Sequence, residues 1–69
     1  MEETKKLSIV IEHWIEHNEA HTEEYRKWAR KASEMGLEKV KGEIDKAVAS
    51  LSESNHHLER ALEAAKSQA

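Results

Sequence analysis

The chain has no cysteine, no proline and no phenylalanine, and only two glycines among its 69 residues. Without cysteine there are no disulfides, no thiolate metal ligands and no cysteine nucleophile. Without proline, only Gly36 and Gly42 stand to interrupt a long helix. Apolar runs are short as well. None exceeds three residues, as in Ile9-Val10-Ile11, far below the roughly 20 residues of a membrane span and too short for a signal-peptide core. The expectation is one cytoplasmic domain over residues 1–69 with no membrane association.

A dominant charge is also missing. Eleven Lys and Arg stand against 14 Asp and Glu, a net charge of −3, with the signs interspersed. That balance gives no pull toward nucleic acid or anionic lipid. The basic residues Arg26, Lys27, Arg30, Lys31, Lys39 and Lys41 are diluted by Glu34 and Glu38, and no groove-reading motif accompanies them. No nucleic-acid partner is expected. Nor is there a Gly-rich phosphate loop, a nucleophile motif or a pair of carboxylates in an apolar setting, so the chain reads as a non-enzyme.

What remains is a helix-forming composition, 36% charged and rich in Ala, Glu, Lys and Leu. Leu7, Trp14, His21, Trp28 and Met35 recur every seven residues, with Ile11, Asn18, Tyr25 and Ala32 four residues after the first four of these. This seam predicts one helix over about 5–34, with Thr4 as its N-cap. Gly36 suits the left-handed residue after a helix, and Leu37 the hydrophobic contact of a Schellman motif. A second helix over about 38–66 carries Leu37, Ile44, Leu51, Leu58 and Ala65, with Val40, Ala47, Val48, Asn55 and Leu62 between. Its cap is weak, and Gly42 costs about 1 kcal/mol in a helix interior. The end from Lys66 to Ala69 is expected to fray.

A short turn between long helices makes them antiparallel neighbours, an all-α two-helix hairpin. Folding about Gly36 brings Trp28 opposite Ile44, Tyr25 opposite Ala47 and Val48, and Trp14 opposite Leu58. Asn18 falls opposite Asn55 and Ser54, a polar layer shared by two independent seams. On this reading Trp14, Tyr25 and Trp28 form an aromatic core, their polar hydrogens met by His21 or Asn18. Two helices alone cannot desolvate these rings, so the hairpin is expected to dimerise into a four-helix bundle.

The densest stretch is His13-Trp14-Ile15-Glu16-His17-Asn18-Glu19-Ala20-His21. Residues four apart on a helix lie on one flank, so His17 and His21 can reach a single ion, with His13 peripheral and Glu24 a nearby oxygen donor. Imidazole suits a transition metal such as Zn, Ni, Co or Fe. The alternative is a structural polar layer of His17, His21, Asn18 and Asn55 that sets helix register. Spacing leaves both open. The pair His56-His57 points away from the seam, and Glu53-x-x-His56, though spaced like a di-iron motif, points outward with it.

His13-Trp14, His17-Asn18, His21, Tyr25 and Trp28-Ala29 together make the pattern HWxxHNxxHxxxYxxWA. The chain resembles, over essentially its whole length, a family of small prokaryotic helical-hairpin proteins and C-terminal modules with this pattern. The resemblance implies an association with metal-homeostasis or regulatory proteins, and it transfers no activity. Hemerythrins, another His-rich helical class, have four helices and an acidic ligand spacing that this chain lacks. The function expected is a small binding or interaction module, either for a metal ion at His17 and His21 or for a partner protein. The rival is a purely structural oligomerisation module.

Overall fold

The computed structural model describes residues 2–68, and Met1 and Ala69 lie outside it. Two helices account for nearly all of them: α1, Glu2–Glu34, and α2, Glu38–Gln68. α1 runs unbroken through Asn18. It begins earlier than the expected N-cap. Thr4 is already helical, and its carbonyl accepts a hydrogen bond from Ser8 Oγ at 3.1 Å. Glu2 and Glu3 in the first turn and Lys31 in the last complement the helix dipole. α2 stays helical past Lys66 as far as Gln68, so of the expected frayed end only Ala69 lies outside the described residues.

The turn follows the Schellman pattern. Gly36 has φ of 77°, its N–H donates to Ser33 O at 3.0 Å, and Leu37 N–H donates to Ala32 O at 2.9 Å. The weak cap of α2 is offset in two ways. Ser33 Oγ donates to Glu38 Oε2 at 2.9 Å, tying the two helix ends together. One turn on, Lys41 Nζ donates to Asp45 Oδ2 at 2.6 Å, and this hydrogen bond raises the amine above its ordinary pKa.

The helices pack into a rod 53 Å long. Asn18 meets Asn55 as the fold about Gly36 requires, and near the open end Lys66 Nζ lies 3.6 Å from Glu12 Oε1. The interface on α1 is rotated from the expected seam. Ile11 is only 5% exposed, and Thr22, Ala29 and Ala32 are buried beside it. Ile15 and Ser8 are half-buried, whereas Leu7, Trp14, His21 and Trp28 are exposed. One row of the interface, Ile11–Asn18–Tyr25–Ala32, is the expected one. The other is Ser8–Ile15–Thr22–Ala29, one residue along and about 100° around the helix.

Steric fit explains the rotation. Two helices alone approach closely, within about 8–10 Å between axes, where the contact side chains are small. Ala29, Ala32 and Thr22 permit this approach and tryptophan does not. Within one hairpin the aromatic core does not form: Trp14 is 49% exposed and Trp28 52%, and Tyr25 is exposed at the edge. Tyr25 and Trp28 line a shallow groove with Ile44 and Ala47, so the expected pairing of Trp28 with Ile44 survives at the rim and not in the interior.

Candidate functional site

The hairpin has two unlike faces. One carries Glu12, Glu16, Glu19, Glu23 and Arg26 of α1 against Ser52, His56 and Glu59 of α2, bordering one polar groove and one floored by Ile15 and Leu62. Arg26 Nη1 pairs with Glu23 Oε1 at 3.2 Å, and His56 Nδ1 lies 3.8 Å from Glu59 Oε1. The other face carries the tryptophans, Tyr25 and the histidine ladder, with Val40, Ile44 and Ala47 from α2.

Between the faces lies the polar layer. Asn18 Nδ2 donates to Asn55 Oδ1 at 2.9 Å, and Asn55 Nδ2 donates to Ile15 O at 3.2 Å. Thr22 Oγ1 donates to Asn18 O at 2.8 Å. Among the described residues no buried side-chain polar atom is left unpartnered. Asn18 and Asn55 therefore belong to the layer as expected, but its third member is Thr22. Ser54 is exposed and outside it, and so are His17 and His21. The heptad pattern passes over Thr22 because its neighbour His21 occupies the seam position. The signal for Thr22 is its place four residues after Asn18, where a helical threonine reaches a carbonyl.

The histidines form an aromatic ladder on the exposed flank. The rings of His13 and His17 are 6.2 Å apart between centroids, His17 and His21 4.6 Å, and His21 and Tyr25 6.1 Å. The His17 and His21 rings meet edge to face, at 68°. Among the described residues no hydrogen bond or ion pair engages His13, His17 or His21. Glu24 is engaged elsewhere. Its Oε1 accepts the Trp28 indole N–H at 3.1 Å, the role expected of His21 or Asn18. Lys31 Nζ sits 5.3 Å above the Trp28 ring, within cation–π range. Among the described residues no three His, Asp or Glu side chains are grouped to hold an ion, so one hairpin offers at most a two-imidazole site.

A family model described as a domain of unknown function (DUF8180) matches residues 7–65. The chain belongs to this family. The matched span runs from Leu7 to Ala65, and so takes in the exposed row of Leu7, Trp14, His21 and Trp28, the ladder and the Asn18–Asn55 layer. No curated protein and no solved structure matches the chain. Among the described residues no helix is long and apolar enough to cross a membrane.

Proposed function

We propose that this DUF8180 hairpin is a non-enzymatic binding module whose ligand is a divalent transition-metal ion held by His17 and His21. The observation that carries the reading is the division between the layer and the ladder. A register-setting role for the histidines needs them inside the polar layer, yet that layer is complete with Asn18, Asn55 and Thr22. The imidazoles are left exposed and unengaged, with ring centroids 4.6 Å apart. Two neutral imidazoles one helical turn apart suit a borderline ion such as Zn, Ni or Co. His13, with its ring 6.2 Å from that of His17, lies at the edge of the site. The resemblance carried by the HWxxHNxxHxxxYxxWA pattern implies an association with metal-homeostasis or regulatory proteins, and the first of these accords with a metal ligand.

Calorimetric titration of Zn²⁺ and Ni²⁺ into the chain tests this. Binding in the micromolar range or tighter, weakened at least tenfold by His17→Ala and by His21→Ala and left unchanged by His56→Ala, is the expected outcome. Equal affinity across all the variants would show that the ladder is not the site.

A further inference from the structure

The two-imidazole site is incomplete in one chain, and any sharing of it between chains presupposes that His17 and His21 bind an ion at all. Zn²⁺ or Co²⁺ in a protein takes about four ligands, and no third His, Asp or Glu joins His17 and His21 among the described residues. The face that carries the pair is also uncovered. The chain exposes 5430 Å², whereas a folded monomer of its 7.9 kDa mass exposes about 4,400 Å². The excess, roughly 1,000 Å², exceeds the ~800 Å² that each partner contributes to a standard interface. Trp14, Trp28 and Leu7 stand among the exposed side chains on that face.

We propose that a second copy of the chain covers this face about a two-fold axis crossing α1 near His17 and His21, so that the histidine pairs of both copies share one metal ion. The order of the exposed row supports this axis. In Leu7, Trp14, His21, Trp28 and Met35 the only polar member is central, with a tryptophan seven residues to either side. A two-fold axis at this level runs α1 antiparallel to α1 of the second copy, setting Trp14 near Trp28 and the histidines near their counterparts. The other simple two-fold, parallel to the helices, would lay His21 against Leu51 of the second copy and bury imidazoles without partners. Only the crossing axis lets burial of the tryptophans and coordination by the histidines occur together.

Sedimentation equilibrium combined with Co²⁺ titration, read by ligand-field absorption, tests the shared site. The expected result is a dimer in EDTA that takes one Co²⁺ per two chains with the intense bands of a tetrahedral ion. His17→Ala and His21→Ala should keep the dimer and lose the bands. Trp28→Glu, at a position exposed in the hairpin, should keep the helical circular dichroism, give a monomer and weaken Co²⁺ binding at least tenfold. A wild-type chain that binds Co²⁺ while staying monomeric, or binds one Co²⁺ per chain, overturns the shared site and leaves chelation by His17 and His21 standing. A chain that takes up no Co²⁺, whether monomer or dimer, overturns both.

Discussion

Asn18 donates its side-chain amide to Asn55 at 2.9 Å, across 37 residues of sequence. Asn55 Nδ2 in turn donates a hydrogen bond to Ile15 O, so the pair fixes both the level at which the helices meet and the face of α1 that turns inward. Removing one partner leaves the other half-buried without its bond, at a cost of about 1–3 kcal/mol. Urea denaturation should therefore find Asn18→Ala and Asn55→Ala destabilised by that amount. The double variant with leucine at both positions should recover most of the loss, because two apolar groups satisfy each other, while register and oligomeric state become less uniform.

The two glycines should respond in opposite directions. A Cβ at Gly42 meets nothing within 4 Å, and its backbone is helical, so Gly42→Ala should raise stability by about 1 kcal/mol. Gly36 has as much open space, but its φ of 77° lies in the left-handed region. Gly36→Ala should lower stability by roughly 1–2 kcal/mol. Thermal melts of the two variants, run side by side, check the pair.

Burial on α1 separates two isoleucines only two residues apart. Ile11 is 5% exposed and Ile9 65%. Ile11→Ala should cost about 2–4 kcal/mol as a core truncation, and Ile9→Ala within about 0.5 kcal/mol. Comparable losses at both sites would contradict an α1 interface centred on Ile11.

Much of this fold is legible in the residues. Gly36 followed by Leu37 announces the Schellman turn, and the unbroken heptads announce two helices. Asn18 and Asn55 can be paired by counting outward from the turn. The facing flank of α1 cannot be read in the same way, because Trp14 and Ile15 belong to rows with the same seven-residue period. Hydrophobicity favours the row of Leu7, Trp14 and Trp28. Close packing of only two helices favours the row of Ile15, Thr22 and Ala29, and packing prevails. The same choice moves His21 out of the layer and Thr22 into it. It also leaves the apolar row without a role inside one hairpin, which a second copy would supply.

Nitrogen-15 spectra of the five imidazoles, recorded as Zn²⁺ is added to the chain, separate a His17–His21 metal site from adventitious binding. The ring nitrogens of His17 and His21 should shift first and saturate together at a stoichiometric metal ratio, while those of His56 and His57 stay in place. Uniform shifts across all five histidines, growing without saturation into millimolar Zn²⁺, would contradict it.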